Sequence, residues 1–180
     1  MDQLTRSGPI TRIRTFPEDE AALRRPAKHV EAISPEIAAF ARDLCAWMRR
    51  EDGVGLAATQ VEAVGMDPAP NLFVMARGPE DLVFVNPVIL DTMGTDISEE
   101  GCLSFGRVSW TMPAPQSARV DFLDLHGQRH IVLFRGIAAR CVTHETDHLK
   151  GKLMIDRMLR RDRKRFLARL AKSVDSTRTL

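Results

Sequence analysis

The sequence predicts a single α+β domain, and three observations carry that prediction. Short apolar runs between Leu72 and Phe134, separated by turn residues, read as strands. Helical patterns fall before and after those runs rather than alternating with them, which argues against parallel βαβ units. Among the later helical segments, Cys141-Val142-Thr143-His144-Glu145-Thr146-Asp147-His148-Leu149 brings two imidazoles and a carboxylate together. The 180 residues, 44% of them apolar, match one ordinary globular domain able to build a core, with no internal repeat and no linker.

Composition excludes several classes. A net charge of +2 is too small for a nucleic-acid footprint, although arginine far outnumbers lysine, so no direct nucleic-acid recognition is inferred. No apolar segment has the length of a signal peptide's core at the N-terminus or of a membrane span, and the cytoplasm is the expected location. The three cysteines, Cys45, Cys102 and Cys141, are odd in number and do not resemble a secreted disulfide framework, so they are expected to be reduced. Cys45 and Cys141 sit on helical patterns where filling a core is the simplest role.

Taken in order, Met1 to Pro9 is polar and expected to be mobile. Ser34-Pro35-Glu36 opens a helix with a hydroxyl cap, proline in the first turn and an acid beside it. That helix should reach about Arg50, its face of Ile37, Phe40, Ala41, Leu44, Trp47 and Met48 covering a core. Gly53 to Gln60 reads locally as a turn rich in small residues. Leu72–Ala76 and Leu82–Leu90, the second interrupted at Asn86-Pro87, read as short strands. Arg119–Leu125 and Arg129–Phe134 form a hairpin across His126-Gly127. Gly136 precedes the histidine helix, Gly151 suits its C-terminal cap, and a basic helix spans about Arg161 to Lys172.

In that histidine helix, residues four apart lie on one face, so His144 and His148 can grip one metal ion with Glu145 beside it. A hydrolytic metal usually has three protein ligands and an open position for water. Two protease solutions fit poorly. The position of a third histidine six residues on is Met154, and no glutamate follows Glu145. Asp156 and Asp162 are weak candidates, and an upstream ligand is expected.

Three blocks, Gly53-Val54-Gly55-Leu56-Ala57-Ala58-Thr59-Gln60, Glu100-Gly101-Cys102-Leu103-Ser104 and His144-Glu145-Thr146-Asp147-His148, occur in this order. Together they resemble the three signature motifs of the peptide deformylase family, and the resemblance extends from about Ile13 onward. It implies mixed or antiparallel sheets wrapped around a central helix bearing the histidines, with an N-terminal and a C-terminal helix. It implies one divalent metal held by Cys102, His144 and His148, ferrous iron in this family, with zinc, nickel or cobalt able to substitute. The implied substrate is an N-formylated peptide or nascent chain, and the basic last helix either packs on the body or reaches a partner such as the ribosome. By the same resemblance Val54, Gly55, Glu100, Arg140 and Cys141 face the substrate.

A thiolate and two neutral imidazoles leave an open position where bound water becomes acidic enough to attack a formyl carbonyl. Glu145 then serves as proton acceptor and later as donor to the leaving amine, releasing formate. The oxyanion that forms needs donors, and the resemblance implies that the Gln60 amide, the Leu103 backbone N–H and the metal supply them. Asp147 is expected to anchor the helix through an arginine.

Several positions depart from the family pattern. Thr59 and Gly106 stand where proline is usual, Glu62 where glycine is, and Thr143 where glutamine is. Ser109 and Ala114 replace frequent arginines that orient the peptide. Arg140, on the stripe of His144 and His148, replaces an apolar pocket residue, so a smaller or acidic substrate side chain is expected in place of methionine. The leading function is a metal-dependent deformylase with an atypical substrate preference, including a non-peptide N-formyl compound. A catalytically weak deformylase-like binding protein is the alternative, and a protease ranks last.

Overall fold

A run such as Leu72-Phe73-Val74-Met75, apolar at every position, is stable as a strand only if both faces of its sheet are covered. The chain folds to meet that condition. The computed structural model describes residues 9–106 and 108–177, with side chains through 173. In chain order its elements are β1 (Ile10–Ile13), α1 (Glu20–Leu23), α2 (Pro35–Arg50), β2 (Gly55–Ala57), β3 (Val61–Ala63), β4 (Leu72–Arg77), β5 (Glu80–Met93), β6 (Asp96–Gly101), β7 (Ser109–Ala114), β8 (Ser117–Leu123), β9 (Arg129–Arg135), α3 (Ile137–Leu149) and α4 (Arg160–Thr177). Turns of 3-10 helix occupy Ala58–Gln60, Leu103–Phe105 and Met154–Asp156.

The main sheet has the order β2-β4-β5-β8-β9, flanked by the two-stranded pairs β1-β3 and β6-β7. All of these pairings are antiparallel. The helix α2 covers one face: Phe40, Leu44 and Met48 pack with Leu56, Val74 and Val85. The helix α3 covers the other, with Ala139 and Val142 against Phe73, Phe84, Val120, Phe122 and Phe134. Phe73 and Phe84 stack with ring centroids 4.3 Å apart. Burying each such ring stabilises the fold by about 1.5–3 kcal/mol.

The capping signals at α2 act as the sequence indicates. Ser34 accepts the Ile37 N–H at 3.3 Å, and Pro35 occupies the first turn. Phe40, Ala41, Leu44, Trp47 and Met48 are buried, and Ile37 is partly buried against them.

Elsewhere the structure differs from the sequence reading. The expected interruption at Asn86-Pro87 is an irregularity inside one 14-residue strand. Asn86 takes a φ of 51°, and its amide accepts the Val30 N–H at 3.0 Å while donating to the Val30 carbonyl at 2.8 Å. The side chain thus satisfies both backbone groups of Val30, tying that loop to the irregularity in β5. The turn expected at 53–60 contains β2 and a 3-10 turn. The pair β6-β7 was not anticipated, because Asp96-Ile97-Ser98-Glu99-Glu100-Gly101 lacks an apolar alternation. The mobility expected of the N-terminus concerns residues 1–8, which lie outside the described residues, whereas the Pro9 carbonyl accepts the Val64 N–H at 2.9 Å.

The last helix packs on the body. Phe166 and Leu170 of α4 join Phe105, Met112, Leu153 and Ile155 in a third cluster. No helix among the described residues is long and apolar enough to cross a membrane.

After α3 the chain turns through Gly151, whose φ is +71° and whose added Cβ would lie 2.3 Å from the Arg24 carbonyl oxygen. Gly151→Ala should cost about 2 kcal/mol from backbone strain, before any displacement of the Arg24 segment. At roughly 2–4 °C per kcal/mol, thermal melting should fall by about 4–8 °C or more; an unchanged melting temperature would show that the Arg24 segment yields freely.

Candidate metal centre

An extended chain points residues two apart to the same side, so β6 and its continuation aim Glu100 and Cys102 together at α3. On α3, His144 and His148 stack one turn apart and face the same point. The result is a buried cluster: Cys102 and His144 are 7% exposed, Glu145 4% and His148 1%. Cys102 Sγ lies 3.2 Å from His148 Nε2, which lies 3.1 Å from His144 Nε2. The three ligand atoms all fall within 4.8 Å of one another. Ligands around one ion with bonds of about 2.0–2.3 Å stand about 3.3–3.6 Å apart, so the donor set fits a metal.

Burial decides the electrostatics. His148 is held well below its ordinary pKa by desolvation and by the neighbouring His144 and Arg157, so its imidazole is neutral and fit to ligate. Burial alone would also lower His144, but its bonds to Cys102 and Glu100 raise it well above the ordinary value. A site that pulls a proton onto one imidazole is a site that prefers a positive charge. Burial pushes Glu145 up to about 7, and its Oε2 has no hydrogen-bond partner among the described residues. An unpartnered oxygen beside the ligands has room for a proton from a reacting water.

A second layer orients the ligands. Glu100 Oε1 lies 2.5 Å from His144 Nδ1, which fixes the tautomer that leaves Nε2 free for a metal. Arg157 donates to the same carboxylate oxygen, and its Nε lies 3.3 Å from Asp147 Oδ2. Asp147 is therefore tied to an arginine, as expected. Burial works against ionised Glu100, but His144 and Arg157 outweigh it and hold its carboxyl below the ordinary range. Glu100 was expected to touch substrate; although it lines the cavity, its carboxylate is bonded to His144 and Arg157. Thr59 donates its hydroxyl to the His148 carbonyl at 3.1 Å, anchoring the C-terminal turn of α3.

The Gln60 carbonyl oxygen accepts the Ala57 N–H at 2.9 Å, so its NH2 must face the other way. That group donates to Ser104 Oγ at 3.1 Å and lies 3.4 Å from Cys102 Sγ. A cavity of ≈ 330 Å³ opens here, lined by Val54, Gly55, Gln60, Glu100, Cys102, Leu103, Arg140, Cys141, His144 and Glu145. His148, the remaining expected site residue, is buried and does not line the cavity. Cys141 also packs in the core and points its thiol at the Val54 carbonyl, with burial pushing its pKa up.

Asp156 and Asp162 do not join the ligands. Asp156 pairs with Arg24 at 2.8 Å, and Asp162 lies 3.5 Å from Arg161. The departures from the family pattern have local partners: Glu62 pairs with Arg12 at 2.7 Å, Thr143 donates to the Ala139 and Arg140 carbonyls, and Ser109 donates to Glu99. Gly106 has a φ of 64° and Ala114 is buried. Sequence reasoning missed Arg157, which carries no signal without the fold, and gave no role to Ser104, although it closes the second block.

The family pattern described as polypeptide deformylase matches residues 10–164. The chain is 36% identical over 138 residues to a peptide deformylase of Clostridium botulinum, covering 77% of this chain and 90% of that one. It is 38% identical over 153 residues to a peptide deformylase of Afipia carboxidovorans, covering 84% and 89%. The crystal structure of a peptide deformylase from Legionella pneumophila superposes with a TM-score of 0.82 at 30% identity, covering 93% and 97%.

Two substitutions test the geometry. A Cβ on Gly55 would lie 2.6 Å from Cys141 Sγ and 2.7 Å from Glu145 Oε1. Gly55→Ala should therefore displace the carboxylate and abolish turnover while the melting temperature drops little; near-normal turnover would show that Glu145 can shift without loss. Glu100→Ala should weaken metal affinity about 10–100-fold in competitive chelation, the usual effect of removing a ligand's hydrogen-bond partner. Unchanged affinity would mean that His144 is oriented by packing alone.

Proposed function

The chain belongs to the polypeptide deformylase family, and from that premise we propose that it removes the N-formyl group from the N-termini of peptides and nascent proteins. The observation that carries this reading is the buried convergence of Cys102, His144 and His148 beside the unpartnered oxygen of Glu145. Those three residues would hold one divalent ion, assigned as ferrous iron, which when bound supplies Lewis acidity toward water and toward a carbonyl oxygen.

The protein's own groups do the rest. Glu145 Oε2 accepts the proton of the attacking water and returns it to the departing amine nitrogen, so formate and a free amino group leave. Burial, which raises the affinity of this carboxyl for a proton, favours taking one from the water. Gln60 Nε2, aimed past Cys102 by its fixed carbonyl, and the Leu103 N–H donate to the oxygen that gains charge in the transition state. Each such donor contributes about 3 kcal/mol. Val54, Gly55 and Cys141 form a wall of the cavity that limits access of bulk water to the reacting carbonyl.

The substrate preference departs from methionine, toward smaller or acidic side chains, because Arg140 lines the same cavity. The whole chain acts as one domain in the cytoplasm, and the exposed basic face of α4 suits docking on an acidic surface such as the ribosome.

Metal analysis of the purified protein and formate release from a formylated tripeptide test the activity directly. Glu145→Ala should retain stoichiometric metal yet lose turnover by two orders of magnitude or more, as expected from removing about 10²–10⁴-fold of acid–base catalysis. Full turnover in that variant would defeat the mechanism, and metal without formate release in the parent protein would leave a binding protein.

A further inference from the structure

Arg140 is the only lysine or arginine among the described residues lining the cavity, and its guanidinium has no hydrogen bond or ion pair with any of them. It is half-buried, so it is partly removed from water without receiving a counter-charge. Its place in the helix offers no compensation. Arg140 lies near the N-terminal end of α3, whose first turn holds no acid and whose N-cap has no side-chain bond. A cation there meets the positive end of the helix dipole. Fold stability therefore gives no reason for this charge, whereas a ligand entering the cavity would.

The acidic residues of the cavity do not neutralise it. Glu100 is bonded to His144 and Arg157, Glu99 accepts the Ser109 hydroxyl, Asp52 is exposed at the mouth, and Glu145 forms no ion pair with Arg140. They repel an anion from their own positions and leave the Arg140 end as the favoured one. Arg140 stands one helical turn before His144, a separation on the order of 6 Å along the axis. That is the reach between a reacting amide and the end of a short side chain on the same residue.

We propose that Arg140 binds the side-chain carboxylate of the formylated residue, so that the preferred substrates are N-formyl-aspartyl and N-formyl-glutamyl compounds; this rests on the deformylase reading above. A small side chain would leave the guanidinium without a partner, and a thioether would lie against a charge. Only a carboxylate accepts the planar donor pair.

The test uses the metal-loaded protein with four formylated tripeptides that differ only in the first residue: aspartyl, glutamyl, methionyl and glycyl. The better acidic peptide should exceed the methionyl one in kcat/KM by about 10–100-fold, the factor that a charge-assisted hydrogen bond carries. Arg140→Leu should reverse the order, Arg140→Lys should keep part of it, and added salt should shrink it in the parent protein. Calorimetric binding of N-acetyl-aspartyl-alanine, which carries no formyl group, supplies a readout independent of turnover and should weaken about tenfold or more in Arg140→Leu. A methionyl preference in the parent protein, or equal binding of the acetylated dipeptide by both proteins, overturns the proposal. Absence of formate release from all four peptides would overturn the deformylase reading instead, and the binding comparison would then decide the role of Arg140.

Discussion

Two imidazoles, a thiol and two carboxylates gathered out of water are stable only where each charge finds a partner. Everything around Cys102, His144, Glu145, His148 and Glu100 serves that requirement. Arg157 supplies a compensating cation from behind, bonded to Glu100 and lying beside Asp147. Gln60 and Ser104 add neutral hydrogen bonds beside the thiol. What remains is two nitrogens and a sulfur converging on one point, and a divalent ion suits that donor set.

Such a cluster needs a rigid frame, because a misplacement of about 1 Å at a reacting group costs about 100-fold in rate. The main sheet provides it. Covering one face with α2 and the other with α3 buries Leu72, Phe73, Val74 and Met75 of β4 and leaves α3 little freedom to slide. The hairpin β6-β7 then brings Glu100 and Cys102 to the helix as a unit, so one strand delivers both a ligand and the group that orients another ligand. The bond from Thr59 to the His148 carbonyl pins the far end of the same helix. Sites built on strands and helices hold their geometry better than sites built on loops.

Much of the local structure was legible because it follows from neighbours in the chain. Ser34-Pro35 starts α2 as its cap chemistry requires, and the strands of the 119–134 hairpin lie within a residue or two of their expected bounds. The pairs His144–His148 and Asp147–Arg157 show the two limits. The first is a matter of helical spacing; the second also needs an arginine whose identity only the fold reveals. Glu100 shows what only the fold adds: the resemblance implies that it faces substrate, it does line the cavity, and its carboxylate is also bonded to His144 and Arg157.

The sequence by itself determined which donor atoms are available, that two of them share a helical face, and that the body is α+β, since periodicity and capping depend on residues a few positions apart. Only the tertiary structure decided that the sulfur of Cys102, 46 residues from His148, reaches its ring, that Gln60 has one amide orientation, and that Arg140 meets no partner among the described residues in the cavity. Those outcomes depend on how sheet, hairpin and helix pack together, and no spacing within one segment encodes contacts between segments.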